Sequence, residues 1–157
     1  LTVFLLLCSV SVARELSRDR TQLGEIADVV ISEGKKGDTV VFCPDQLAPA
    51  GNRILDKKYE FFAYPSLEGG ERIDWYDYKE RNLKSSPPLL AQELLARHDG
   101  GQNIWLVWID GFESFDKQCS SFRSELNKQL GAGETLVNAD GDEYYNPANL
   151  VRYDSNK

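Results

Sequence analysis

Thirteen uncharged residues, 1–13 (LTVFLLLCSVSVA), precede an abrupt switch to the charged run Arg14-Glu15-Leu16-Ser17-Arg18-Asp19-Arg20. A membrane-spanning helix needs roughly 20 apolar residues, and the h-region of a secretion signal about 7–15. The stretch therefore reads in two ways: the last turns of a spanning helix, or a signal h-region with Ser11-Val12-Ala13 as a small-residue cleavage site. A third reading, a helix buried on one face, fits less well, because residues 1–7 are apolar all round except Thr2. With no methionine in the chain, the expectation is the exported end of a longer protein. Both leading readings place residues 14–157 outside the cytoplasm as a single domain.

Downstream, helical and strand periods alternate. In 21–34, Leu23, Ile26, Val30 and Ile31 fall on one helical face, with Thr21 as cap and Gly34 as stop. Residues 35–38 turn into Thr39-Val40-Val41-Phe42-Cys43, a continuous β-branched run typical of a strand buried on both faces, ended by Pro44. Leu47, Ala50, Ile54 and Leu55 resume a helical period. Residues 59–64 (YEFFAY) predict a second strand, closed by Pro65 and the Glu68-Gly69-Gly70 turn. Residues 72–78 mix aromatic and charged side chains without a clean period, and read as a short strand or as a loop leading into a helical turn. Ser86-Pro87-Pro88 opens a helix that Leu90, Leu94 and Leu95 carry to His98. Residues 103–109 (NIWLVWI) are the most apolar strand. Phe115, Cys119, Phe122, Leu126 and Leu130 then step along one helix, from Ser114 as cap to Gly131. Strands over 134–138 and 150–153 complete the tail.

This alternation predicts an α/β fold: a small three-layer sandwich with a mainly parallel sheet flanked by helices. Ligands of such folds sit beyond the carboxyl ends of the strands. Those ends present Asp45 and Gln46, Pro65 and Ser66, Asp110 and Gly111, and Asp140. The domain is long enough for one hydrophobic core, at about two-thirds burial of the unfolded surface. A net charge of -7 argues against a nucleic-acid partner, which needs a clustered basic face. The longest basic runs are Lys35-Lys36 and Lys57-Lys58, so a polybasic membrane patch is not expected either.

Three carboxylates at neighbouring strand ends, Asp45, Asp110 and Asp140, could hold a hard cation or divide acid and base roles. The competing reading is that each caps the turn or helix after its strand. The run Asn138-Ala139-Asp140-Gly141-Asp142 opens like a calcium loop, but Glu143 and Asn149 stand where an EF-hand needs Gly and Glu. A single histidine, His98, and no Cys-x-x-Cys spacing make zinc a poor candidate, and no metal site is expected. The chain lacks a Gly-x-Ser-x-Gly elbow and a glycine-rich phosphate loop. His98 itself reads as a helix cap. Trp75, Tyr76, Tyr78, Tyr144 and Tyr145 lie in the two least regular segments and offer faces for sugar rings or for ordinary packing. Trp105 and Trp108, three apart on a strand, point to opposite faces and read as core. With Cys8 in the apolar stretch, Cys43 and Cys119 remain as an even pair: one disulfide in an oxidising compartment, or else two buried thiols.

The segments Asp38-Thr-Val-Val-Phe-Cys43-Pro-Asp-Gln-Leu47-Ala-Pro-Ala, Arg72-Ile-Asp-Trp75-Tyr-Asp77-Tyr-Lys-Glu-Arg81-Asn82, Trp105-Leu-Val-Trp108 and Asn149-Leu-Val-Arg152-Tyr153 occur in this order. Together they resemble the C-terminal extracytoplasmic domain of actinobacterial family 39-like membrane glycosyltransferases, relatives of the dolichyl-phosphate-mannose mannosyltransferases. Cys-Pro-Asp-Gln-Leu is the most specific piece. The resemblance implies that residues 1–13 end the last spanning helix of a polytopic cell-membrane enzyme. Such an enzyme uses a polyprenyl-phosphate sugar donor and inverts at the sugar, with an acidic base in an early extracytoplasmic loop. No catalytic residue then lies in this chain and the domain holds no cofactor of its own. The resemblance also implies pairing of Cys43 with Cys119. One departure is compositional: Lys, Asn, Ser and Tyr stand where those proteins are rich in proline and alanine.

The expected role is an accessory module over the outer mouth of its own transmembrane bundle, contacting a lipid-linked sugar or glycan acceptor through Asp45, Gln46, Trp75, Asp77 and Asp110. Alone it is expected to transfer no sugar. The alternative is a secreted α/β hydrolase or carbohydrate-binding module with an acidic cleft of Asp45, Asp110 and Asp140. A purely structural interaction domain would have no pocket at the strand ends.

Overall fold

The computed structural model describes residues 4, 8–13, 20–98 and 100–155. The expectation for residues 1–13 falls largely outside these, as does most of the charged run after them; Phe4 and residues 8–13 are helical and exposed. Among the described residues, no helix is long and apolar enough to cross a membrane.

Strand β1 (Thr39–Cys43) is buried along its whole length and lies in the middle of one sheet. Strand β2 (Glu60–Ala63) pairs parallel on one side, and β3 (Ile104–Trp108) parallel on the other. Beyond β3 come β5 (Asn149–Tyr153) and β4 (Glu134–Val137), each pairing antiparallel to its neighbour, so the order is β2-β1-β3-β5-β4. Four strands therefore point the same way and only β5 runs back. The ends of β1, β2, β3 and β4 share one edge of the sheet.

Period-two alternation sorts the core into two halves. Val40, Phe42, Trp105 and Val107 face α1 (Leu23–Glu33) and α2 (Ala48–Ile54), meeting Leu23, Ile26, Ala27 and Val30. Val41, Cys43, Ile104 and Leu106 face α4 (Pro87–Arg97) and α5 (Gln118–Leu130), meeting Ala91, Leu94, Phe122 and Leu126. The short α3 (Tyr78–Lys84) adds Tyr78 to this second layer. Helix, sheet and helix make the expected three-layer sandwich.

Local differences have local causes. Helix α5 begins at Gln118, later than the periodicity suggests, because residues 112–116 close turns on the Phe112 carbonyl and Asp116 takes φ 46°. Ser114 is thus not its cap. Residues 72–77 form no named strand and lead into α3, the loop alternative. Residues 45–47 form a 3-10 turn that feeds α2. Gly34 ends α1 with an extended backbone, not a left-handed one. Its missing Cβ admits the Tyr59 ring, whose hydroxyl donates to the Val30 carbonyl at 2.9 Å. Helix α1 starts under Thr21, whose Oγ1 accepts from Leu23 N–H at 3.1 Å.

Candidate functional site at the carboxyl edge

The chain leaves β1 through Pro44, and the Asp45 N–H donates to the Tyr64 carbonyl at 2.9 Å, which turns the Asp45 side chain into the edge. There the Tyr78 hydroxyl donates to Asp45 Oδ1 in a short hydrogen bond. Asp45 is nearly enclosed, and burial raises its carboxyl above the usual aspartate value despite the Tyr78 bond and the Arg81 charge, which both oppose the rise. Tyr78 is pushed well above the ordinary tyrosine range by burial first and by Asp45 next. The amides of Gln46 and Asn82 lie beside its hydroxyl. Asn82 is fully buried, and its side-chain N and O have no hydrogen-bond partner among the described residues.

Tyr78 also braces the exposed loop. Its ring centroid lies 4.8 Å from that of Trp75 and 5.6 Å from that of Phe115. The Arg81 guanidinium sits 5.9 Å over the Tyr78 ring, pairs with Asp74 Oδ2 at 2.9 Å and donates to the Tyr76 carbonyl. Asp74 is lowered by the Tyr76 N–H and then by Arg81. Asp77, at φ 49°, turns the chain from this loop into α3.

Of the expected contact residues, Gln46 and Trp75 line one cavity of about 250 Å³, together with Thr21, Ile73, Phe112 and Asn146. Asp45 lines a neighbouring cavity of about 460 Å³ with Ser66, Glu68, Glu71 and Arg72. Asp77 faces a groove of about 430 Å³ shared with Glu80, Arg81 and Lys84. Asp110 turns away to α5, where its Oδ1 accepts from Ser120 N–H at 3.0 Å and so satisfies a free donor of the first turn. Asp140 Oδ1 accepts from the N–H groups of Asp142 and Glu143, closing its own turn. The three carboxylates therefore serve three different structures. Among the described residues, no group of three His, Cys, Asp or Glu is placed to hold a metal ion.

Cys43 and Cys119 form a disulfide that ties the end of β1 to the first turn of α5, with Cα atoms 5.5 Å apart. Next to it, Gln118 Oε1 accepts from the Tyr64 hydroxyl at 2.6 Å while its Nε2 donates to the Asn82 carbonyl at 2.6 Å. Burial raises Tyr64 to about 12. This network joins α5 to α3, and so to the residues under Trp75. His98 is the residue at which α4 stops, and its ring bridges Thr39 Oγ1 and the Gln102 carbonyl at 2.9 Å each, at the far end of the sheet.

Sequence reasoning missed Gln22. Its buried amide donates to the Asn138 carbonyl and accepts from Asp140 N–H and Ala148 N–H, holding the β4–β5 connection against α1. Its one local partner is Glu25, to which the amide donates at 2.9 Å; the contacts that fix the β4–β5 connection lie 116 to 126 residues away, so no local pattern marks them. Tyr78 was named only as one of several aromatic faces and Arg81 only within its segment; the bond of Tyr78 to Asp45 and the hold of Arg81 on Asp74 were not legible.

The Asp45 environment makes a signed prediction. A carboxyl whose folded pKa exceeds its unfolded one binds its proton more tightly in the native state, so stability falls as pH rises from about 4 through the folded pKa. Asp45→Asn keeps an oxygen for the Tyr78 hydroxyl and removes that dependence. Above the window the variant is expected to be more stable than wild type, and the difference should vanish in acid. Urea midpoints measured from pH 3 to 7 check this; a variant less stable than wild type at pH 7 would contradict it.

Fold and edge together define an α/β sandwich domain with its openings on the loop side of the strand ends. The chain matches no protein-family model, no curated protein and no solved structure.

Proposed function

We propose that the chain is a non-catalytic extracytoplasmic domain of a membrane glycosyltransferase that uses a polyprenyl-phosphate sugar donor. Its carboxyl edge holds a carbohydrate, either the glycan acceptor or the sugar of the donor, over the outer mouth of the enzyme's own transmembrane bundle. One observation carries the binding role: the strand-end carboxylates are engaged by Tyr78, by the α5 N-terminus and by the Asp140 turn, while an aromatic ring and the side-chain amides of Gln46 and Asn146 line an open cavity beside them. General acid–base catalysis needs a carboxyl within hydrogen-bond reach of the reacting atom. A stacking face beside amides needs only to bind. The disulfide supports an oxidising compartment, and the segment resemblance supplies the enzyme context.

The test is sugar transfer. The 157-residue chain incubated with polyprenyl-phosphate sugar and acceptor is expected to yield no product, while deleting residues 20–155 from the full-length enzyme is expected to raise KM for the bound partner. Turnover by the chain alone would overturn the proposal. The same edge also suits a secreted carbohydrate-binding module; the coding sequence upstream separates the two, since several hydrophobic spans belong only to the membrane enzyme.

A further inference from the structure

We infer that the cavity of about 250 Å³ between α2 and the 72–77 loop is a subsite for one neutral pyranose ring, stacked on Trp75 and hydrogen-bonded by Gln46 and Asn146. This rests on the carbohydrate reading above and names its site and ligand class.

The first reason is charge. No ionisable side chain lines this cavity. Its neighbours carry Glu68, Glu71 and Arg72, or Arg53 and Glu71, or Glu80 and Lys84. A phosphate or carboxylate is recognised by guanidinium, ammonium or clustered N–H groups, and this cavity offers no cationic side chain. Its ligand is neutral.

The second reason is the pairing of surfaces. A pyranose presents an apolar C–H face and a rim of hydroxyls that both donate and accept. Trp75, 62% exposed, supplies a large flat apolar face, and Phe112 and Ile73 extend the apolar lining. Gln46 and Asn146 supply side-chain amides, the groups that donate and accept from one plane as a sugar hydroxyl requires. The backbone of Asn146 is fixed by Gln22 N–H and the Arg20 carbonyl, which leaves its side chain for a ligand.

Size and rigidity complete the argument. Sites for drug-sized ligands span roughly 300–1,000 Å³, so this one admits a single ring with the rest of a chain outside. An adjoining open groove shares Gln46, Ala50 and Ile73 as a common wall and gives the next sugar or a lipid link a way out. The platform is held before any ligand arrives: Asp45 pins the Tyr78 hydroxyl, the Tyr78 ring backs Trp75, and Arg81 ties down the Asp74 and Tyr76 backbone on either side of it. Binding then spends little on ordering the loop.

The experiment titrates the 157-residue chain, in mild detergent, with methyl glycosides of neutral hexoses and with the matching hexose 1-phosphates, following amide and indole NMR shifts. The expected result is millimolar binding of a neutral glycoside that shifts the Trp75 indole, Gln46, Phe112 and Asn146, with no gain from the phosphate. Trp75→Ala should weaken it by about tenfold, the scale of one aromatic contact; Trp75→Phe should weaken it less, and Asn146→Ala by severalfold. Far-ultraviolet circular dichroism confirms that each variant is folded. Shifts confined to the Ser66–Glu71 cavity, an unaltered affinity in folded Trp75→Ala, or a strong preference for the 1-phosphate would overturn this subsite and leave the carbohydrate reading standing. No response to any sugar, neutral or phosphorylated, would defeat both.

Discussion

Replacing Cys43 and Cys119 together by alanine is expected to lower the unfolding free energy by about 4 kcal/mol, the chain-entropy value for a long closed loop. The bond joins residues 76 apart, so in its absence the unfolded chain gains the freedom of nearly half the sequence. Against a typical net stability of about 5–15 kcal/mol this is a large share. The folded state should survive, because α5 remains docked through Phe122 and Leu126 and keeps Asp110 on its first turn. The effect should also reach the edge. Gln118 sits next to Cys119 and links Tyr64 to the Asn82 carbonyl, so loosening the start of α5 should speed amide exchange across residues 75–85. Guanidinium unfolding of wild type and double variant, both followed by circular dichroism, measures the first quantity and native-state exchange the second. A loss below 1 kcal/mol would mean that the unfolded chain is already compact around this pair.

The strands and long helices were legible because their burial is written in local runs. Thr39–Cys43 reads as a strand enclosed on both faces, and it is. Phe122 and Leu126 read as the inner face of a helix, and they are. The tail was less legible: β5 pairs antiparallel with β3, a choice made by how the connection folds back over Gln22, which no periodicity reports. At the edge, the placement of Asp45 and Gln46 followed from where β1 ends, while Trp75 was read only as an aromatic of the irregular 72–78 segment. For Asp110 and Asp140 the capping reading names the role the fold gives them, since each serves the helix or turn that follows its strand. The Tyr78 bond of Asp45 was not legible, because that partner is distant in sequence. Asp45 is engaged by Tyr78 from 33 residues away and Asp110 by Ser120 from the far side of a loop. Of the two readings of the acidic strand ends, a shared cleft or separate caps, the separate caps fit Asp110 and Asp140, and the fold uses the three carboxylates one at a time.

Asp38→Ala is expected to cost about 4 kcal/mol, from three hydrogen bonds to one charged group at roughly 1.5–3 kcal/mol each, less than additively combined. Read from sequence, Asp38 is only the last residue of a turn. In the fold it is 1% exposed, and its carboxylate accepts from the Trp105 indole N–H at 2.9 Å, from Lys35 N–H at 2.9 Å and from Asn103 N–H at 3.1 Å. It thus ties the turn before β1 to the start of β3, at the end of the sheet opposite the cavities, which makes it a bracket for the scaffold. Alanine leaves the fully buried indole N–H without an acceptor, the costlier half of the loss. Asp38→Asn should cost about half as much: its oxygen can serve the Trp105 and Lys35 donors while its NH₂ group opposes Asn103 N–H. Trp105→Phe in the Asp38→Ala background should then add less than in wild type, since the indole donor is already orphaned there. Denaturant unfolding of the four proteins forms a double-mutant cycle, and a coupling energy near zero would show that the carboxylate and the indole stabilise the sheet independently.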